Sequence, residues 1–356
     1  MPRVVGIDPG TVSIDVCGLD DGRVFLDRSL PTAEALADPR ILVELLERAG
    51  PLDLVAGPSG YGLPLVAARD LTDADLRLAY LIAEGDSGGI GGLRSLLRAL
   101  ARSPVPVVLT PGVIHLPSVP AHRKVNRVDM GTADKLCAAV LAVHEQAARR
   151  GCAPGDVSCI LLELGGAFSA AMAIEQGRIV DGVGGTSGPL GLRSAGALDG
   201  EVAYLMGSVT KDVLFGGGVT SIAGRDDAEL DVDLVAAAWQ AYIESALKTV
   251  AALLVSVPAP AEIVLSGRVA RVPAIREVLT ACLRGVNTAA EVRELTGFTA
   301  VAKQAAQGAA LLADGLAGGS SAALVEAMGI RDAQGTVLDH LHVISPAAAR
   351  TRLGIS

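Results

Sequence analysis

Apolar positions along the chain fall into short continuous runs and longer helical ones, and part of their order occurs twice. Val4-Val5-Gly6-Ile7 ends in Asp8, followed by Pro9-Gly10-Thr11, a second apolar stretch and the turn Asp21-Gly22-Arg23. Ile160-Leu161-Leu162 ends in Glu163, followed by Leu164-Gly165-Gly166, another apolar stretch and the turn Gln176-Gly177-Arg178. Asp8 and Glu163 stand 155 positions apart, as do Gly22 and Gly177. Brief apolar runs bounded by turn residues predict strands. Residues 3–27 and 159–180 therefore predict two β-hairpins, each with a carboxylate at the end of its first strand. Short strands are also predicted at 54–56, 105–109 and 262–265. Helical spacing covers 33–49, stopped by Gly50-Pro51, and then 94–102, 131–150, 231–255, 275–284 and 301–315.

This alternation predicts an α/β fold in two similar halves, each with a mixed sheet flanked by helices and a cleft between them. The expected division is 1–150 for an N-terminal domain carrying the first hairpin and 151–320 for a C-terminal domain carrying the second. The junction falls at Gly151 to Gly155, and 321–356 forms a tail packing back on the body. A chain of 356 residues is long enough for two such cores. Half of its residues are apolar but only 3% are aromatic, so the core must be built from Ala, Val and Leu.

A formal charge of −9 argues against a nucleic-acid partner, which needs clustered Lys and Arg. Five cysteines without metal-ligand spacing predict free thiols in a reducing compartment. The most membrane-like stretch, Thr249 to Ala261, is short and carries Pro258 and Pro260, and the N-terminus starts a strand with no leader pattern. A soluble, cytoplasmic protein without a membrane partner is expected.

The chemistry concentrates at the turns. A carboxylate at a strand end, such as Asp8 or Glu163, suits Mg²⁺, and the glycines beside it (Gly10, Gly165, Gly166) let backbone approach a phosphate, with the Thr11 hydroxyl as a further donor. Asp-Pro-Gly is also ordinary turn chemistry; the second copy favours the functional reading. Leu265-Ser266-Gly267-Arg268 is a small-residue turn after a strand, where a flat ring can sit. Thr132 and Asp134 open the 131–150 helix either as a cap and a favourable first-turn charge or with Asp134 as a general base, Asp129 being the alternative acid. Arg123, Lys124 and Arg127 form a basic loop suited to holding a small anion. His115 and His122 suit core or surface positions better than catalysis, and Asn126 suits a turn. Ser59, Tyr61 and Asp86 lie in Gly-rich loops fit for an acceptor pocket.

The order of first hairpin, connecting helix, second hairpin and Leu265-Ser266-Gly267 turn resembles the superfamily that joins acetate and sugar kinases, Hsp70 ATPase domains and actin. Leu164-Gly165-Gly166-Ala167, with Ser187 to Asp199 downstream, is most similar to the acetate and butyrate kinases, including a predicted butyrate kinase-like group. The resemblance implies two ribonuclease H-like domains, ATP and Mg²⁺ as cofactors, and a homodimer as a plausible assembly. It also implies that Asp8 and Glu163 serve the metal, while Gly10, Thr11, Gly165, Gly166, Ser266, Gly267, Arg268 and Gly308 serve the nucleotide. Arg193 falls where acetate kinases place an arginine on the transferring phosphoryl group, and a planar guanidinium suits three charged oxygens. Asp134 resembles the acid of the Gly-x-Asp-Arg helix start of type III pantothenate kinases, with Lys135 in place of arginine. The chain departs from the acyl kinases at Glu163, where a histidine is usual, at Asp8, where an asparagine is usual, and at Arg268, where a glycine is usual.

The expected function is an ATP-dependent kinase of a short-chain carboxylate. In this expectation Arg193 is catalytic, Asp134, Asp129 and Arg123 are further candidates, and Arg127, Lys124, Ser59 and Tyr61 face the substrate. A hydroxyl acceptor with Asp134 as base, a nucleotide-gated ATPase of the Hsp70 or activator type, and a polyphosphate or guanosine-polyphosphate phosphatase are the alternatives.

Overall fold

The computed structural model describes residues 2–57, 59–83, 92–224, 232–234 and 236–355. Among them Arg3–Pro9 (β1), Ser13–Asp20 (β2), Arg23–Pro31 (β3), Leu54–Gly57 (β4), Val66–Ala67 (β5) and Val107–Leu109 (β6) form one sheet, in the order β3-β2-β1-β4-β6-β5. Cys159–Leu164 (β7), Ser169–Glu175 (β8), Arg178–Val183 (β9), Glu262–Ser266 (β10) and Glu291–Glu294 (β11) form a second, ordered β11-β10-β7-β8-β9. In both, three antiparallel strands continue into two parallel ones.

The duplication reaches the level of register. Val4 faces Leu19 in the first hairpin and Cys159 faces Ile174 in the second, each residue displaced by the same 155 positions. The next turns match too. Asp21 and Gly22 have φ of 52° and 72°, and Gln176 and Gly177 have 50° and 71°. Two successive left-handed residues fit the right-handed twist of a tight hairpin, and glycine at the second position removes half the steric cost. Even the strand irregularity recurs, between Gly18 and Leu19 and between Ala173 and Ile174.

The inner strands of the second sheet, β10, β7 and β8, are buried on both faces, which explains their continuous apolar runs. Cys159 and Leu161 join the core shared with the first sheet, whereas Ile160, Leu162 and Leu164 face a second core with helices Ala237–Leu253 and Pro273–Val286. Between the sheets lies helix Ala133–Arg150, buried around most of its circumference because nearly every inner position is small or aliphatic. Gly151, left-handed at φ 62°, ends it.

Several elements differ from expectation. The 33–49 helix is two, Thr32–Ala37 and Arg40–Arg48, because Pro39 lacks an N–H and forces Asp38 out of helical geometry. Of 231–255, the described helix covers Ala237–Leu253. Helix Asp73–Tyr80 was not expected, although its capping box, Thr72 with Asp75, stands in the sequence. Helix Gln304–Leu316, assigned by sequence order to the second half, packs instead on β1, β2, β4 and helix Ala133–Arg150. Glycine makes this closeness possible. A Cβ on Gly6 would lie 2.1 Å from the Ala310 nitrogen, and one on Gly308 would lie 1.7 Å from the Cys137 carbonyl oxygen. The tail follows the helix: Leu324, Val325, Met328, Leu353 and Ile355 are buried in the same first core, and Arg77 Nη1 donates to the Leu353 carbonyl at 2.7 Å. Among the described residues no helix is long and apolar enough to cross a membrane.

Candidate functional site

The hairpin tips are built alike. Gly10 N–H donates to the Ser13 carbonyl at 2.9 Å and Gly165 N–H donates to the Phe168 carbonyl at 2.9 Å, again 155 positions on. Each tight turn follows its carboxylate closely, so Asp8 and Glu163 are held at strand ends by ladder hydrogen bonds rather than by flexible loops. Both are buried.

The two acids border one ion pair. Thr132 precedes helix Ala133–Arg150, and its first turn carries Asp134 and Lys135. Lys135 Nζ lies 2.8 Å from Asp134 Oδ2 and 2.8 Å from Glu163 Oε2, tying the connecting helix to the end of β7. The Thr132 hydroxyl donates to Asp134 Oδ1. Burial opposes charge on Asp134, but the adjacent Lys135 cation and the Lys135 and Thr132 hydrogen bonds outweigh it, leaving the carboxyl below its ordinary range. Glu163 shares the same cation, yet its side chain is more deeply buried and desolvation wins, so its carboxyl is raised. Asp8, whose carboxylate accepts no hydrogen bond from a described residue, is pushed up to about 7 by burial first and then by the Asp134 charge, against the opposing Lys303 and Lys135 cations.

The second turn collects further residues. Arg193 N–H and Ser194 N–H both donate to the Ala167 carbonyl, at 3.0 and 3.1 Å, placing the Arg193 backbone against the tip. Ser266 pairs with Glu163 across β10 and β7, and its buried hydroxyl has no hydrogen-bond partner among the described residues. A Cβ on Gly267 (φ 93°) would lie 2.3 Å from the Leu164 carbonyl oxygen, so the turn after β10 is pressed onto the strand end. The exposed Arg268 runs beside Gly166, its Cδ 3.8 Å from where a Cβ would stand. At the first tip Gly10 is half-buried and Thr11 exposed.

Other candidates have different employment. Asp129 accepts from Thr186 N–H and Oγ1–H at 2.9 Å each and from Gly131 N–H at 3.2 Å. It staples the 184–187 loop to the first half, so it is not a free acid; burial raises its carboxyl against those hydrogen bonds. Arg123 Nη1 donates to the Val180 carbonyl at 2.8 Å, and its Nε lies 3.8 Å from Asp181, making it a strut to β9 rather than an anion receptor. Lys124 is buried and gives its ammonium to the Leu116 carbonyl at 2.9 Å. Ser59, fully buried, donates to the Thr110 carbonyl. Gly308 faces the Cys137 carbonyl, a helix-packing position rather than a nucleotide contact.

Tyr61 is half-buried, its phenol raised by burial, then by Asp129, with Thr186 opposing; Lys211 lies 5.1 Å from its ring centroid. Arg127 and His122 are exposed. Asn126, at φ 54°, accepts from His342 and Val343 N–H. His115 is a core residue, pulled down to about 4 by burial. Asp86 lies outside the described residues. One residue of the cleft went unsuspected: Lys303, whose Nζ would be 2.8 Å from a Cβ on Gly10. A lone lysine near the start of an Ala-rich helical stretch gives no pattern from which to suspect it.

Among the described residues no group of three or more His, Cys, Asp and Glu is placed to hold a metal ion. That donor set does not suit a metal caged by protein alone. It does suit Mg²⁺, which keeps most of its water and takes one or two carboxylates together with phosphate oxygens. Asp8, whose carboxylate has no hydrogen-bond partner among the described residues, is the carboxylate available for it.

A family model described as "Protein of unknown function (DUF1464)" matches residues 6–343. The chain belongs to this family. No curated protein matches it in sequence. Three solved structures are similar over most of their length. A propionate kinase from Francisella tularensis subsp. tularensis SCHU S4 has a TM-score of 0.58 at 12% identity, covering 87% of this chain and 98% of the kinase. Porphyromonas gingivalis acetate kinase has 0.57 at 14%, covering 86% and 94%. Entamoeba histolytica acetate kinase has 0.55 at 12%, covering 80% and 87%. At such identities the likeness is one of fold alone: the DUF1464 chain has the two-domain α/β fold seen in these structures.

Proposed function

We propose that this chain is an ATP-dependent kinase whose acceptor is a short-chain carboxylate, the product being an acyl phosphate. The observation that carries the reading is the convergence of the two acid-bearing turns on the single Lys135–Asp134 pair, within a fold shared with acetate and propionate kinases. The acceptor class rests on Asp134. A hydroxyl acceptor needs a base, and a carboxylate held by an ammonium and a hydroxyl donor is a poor one. A carboxylate acceptor is already ionised near neutral pH and needs none.

In this reading the acceptor oxygen attacks the γ-phosphorus in line as the bond to the ADP oxygen breaks. Asp8 would hold Mg²⁺, which when bound would neutralise charge on the nucleotide's polyphosphate. The backbone of the Gly10 and Gly165-Gly166 turns gives close access to the phosphates. Glu163 would repel a phosphoryl group if bare; the Lys135 ammonium 2.8 Å away, shared with Asp134, offsets part of that charge where a histidine is usual. Arg193, anchored at Ala167, stabilises the equatorial oxygens. With Arg123 and Lys124 committed elsewhere, the exposed Arg127 is the member of the basic loop left to meet the acceptor carboxylate.

The test is ADP release, followed by a coupled assay with Mg²⁺, over carboxylates from acetate to branched butyrates and over small alcohols, with R193A as control. Release with a carboxylate and loss in R193A is the expected result. Release with alcohols alone would move the assignment to a hydroxyl kinase. Slow hydrolysis indifferent to every acceptor would point to a nucleotide-gated ATPase, and no release at all would remove the kinase reading.

A further inference from the structure

Lys303 immediately precedes helix Gln304–Leu316, more than 280 positions from the first turn in sequence, yet its ammonium sits on that turn. Nζ is 2.6 Å from Ser13 Oγ and 2.9 Å from Asp15 Oδ2, and over Gly10 it occupies the space where a side chain would begin. An ammonium has three donors. Two are used well; the third approach, to the Ser13 carbonyl at 3.5 Å, is at the limit of a hydrogen bond and is readily exchanged for a better acceptor. The lysine side chain is 40% exposed.

Two features show that this placement is built. First, Asp15 faces Asp8 directly across the β1–β2 pair. Like charges opposite one another destabilise a sheet, and the Asp15 side chain is 2% exposed. The equivalent position in the second hairpin, facing Glu163, is Ala170. An acid is therefore not required by the hairpin; it accompanies the lysine. Second, three side chains from separate elements fix the loop that delivers Lys303. Asp27 of β3 accepts from Ala300, Val301 and Ala302 N–H at 3.0, 3.0 and 2.6 Å. Gln307 accepts from Phe298 N–H at 2.6 Å and donates to the Ala302 carbonyl at 2.7 Å. Glu145 accepts from Gly297 N–H.

We propose that Lys303 is a phosphate-binding residue of the first turn, held in place by Asp15 and Ser13 and donating its remaining hydrogen to the polyphosphate of the bound nucleotide. This rests on the kinase reading and adds a cation, from the far end of the chain, to the glycine turn. A lysine serving only to neutralise Asp15 would leave nucleotide affinity unchanged.

The experiment is equilibrium titration of the full chain with ATP, ADP and adenosine in the presence of Mg²⁺. For K303M, loss of one charge-assisted hydrogen bond weakens ATP binding by about tenfold or more, leaves adenosine unchanged, and is restored to within about threefold by K303R. A folded K303M that binds ATP as the wild type does overturns the proposal. Should K303M fail to fold, acylation of amines in the wild-type chain, read by peptide mass spectrometry, decides: ATP is expected to shield Lys303, and equal labelling with and without ATP overturns it. A wild-type chain that binds no ATP would sink the kinase reading and this proposal together. ATP binding without transfer to any acceptor would cost only the acceptor assignment.

Discussion

Lys135→Met is the most informative single change, because one ammonium holds two buried carboxylates. At 2.8 Å each ion pair has a Coulomb attraction of roughly 6 kcal/mol for an effective dielectric near 20, most of it offset by desolvation of the three groups. Removing one partner of a buried pair typically costs about 3–5 kcal/mol, since the remaining charge stays buried. The Asp134 side chain is 32% exposed, which lets water relieve part of this, so about 3 kcal/mol is expected. Over 356 residues, with an unfolding entropy of about 2 cal/mol/K per residue, that is a fall of roughly 4 °C in Tm for a cooperative transition.

The sign of the pH dependence is the sharper signature. Without the lysine, Asp134 joins Glu163 in having its folded carboxyl raised above the unfolded value. Such groups weaken the fold when ionised and cease to do so as pH falls through the folded value. The deficit of Lys135→Met against wild type, followed by differential scanning calorimetry, is expected to be largest near pH 8 and to shrink steadily towards pH 5. A deficit of constant size, or none at pH 8, would refute the picture of Lys135 as the shared counter-ion of the two halves.

Four further outcomes follow from the same geometry. Asp134→Asn is expected to keep turnover within about threefold if the acceptor is a carboxylate, whereas loss of a true general base costs about 10²–10⁴-fold, so steady-state kinetics separates the two. Arg193→Ala is expected to lower kcat by about 10³-fold, as loss of an arginine on the transferring phosphoryl group does, with little change in ATP affinity by titration. Asp8, raised to about 7 mainly by burial, must lose its proton to hold Mg²⁺. Mg·ATP affinity should therefore fall about tenfold per pH unit below 7 and be flat above it, and Asp8→Asn should abolish that slope. Gly308→Ala puts a methyl group 1.7 Å from the Cys137 carbonyl oxygen, so a loss of about 1–3 kcal/mol or more by urea unfolding is expected, with ATP affinity of the folded fraction unchanged.

Much of this protein is legible without coordinates because its informative features are local. An apolar strand, an acid, a glycine and a second strand lie within twenty residues, and backbone sterics at the turns then fix a register that recurs at Cys159↔Ile174 as at Val4↔Leu19. The α/β class, both hairpins and the connecting helix needed nothing further. Contacts between distant segments were different. Nothing in Glu291-Val292-Arg293-Glu294 marks a strand; it is one because β10 offers an open edge to pair with. Arg123, Lys124 and Ser59 have side chains suited to substrate, yet each was claimed by a backbone carbonyl nearby in space. Packing also carried helix Gln304–Leu316 across to the first sheet, and with it Lys303 to the turn at Gly10, where proximity in three dimensions rather than residue order assigns each charge its partner.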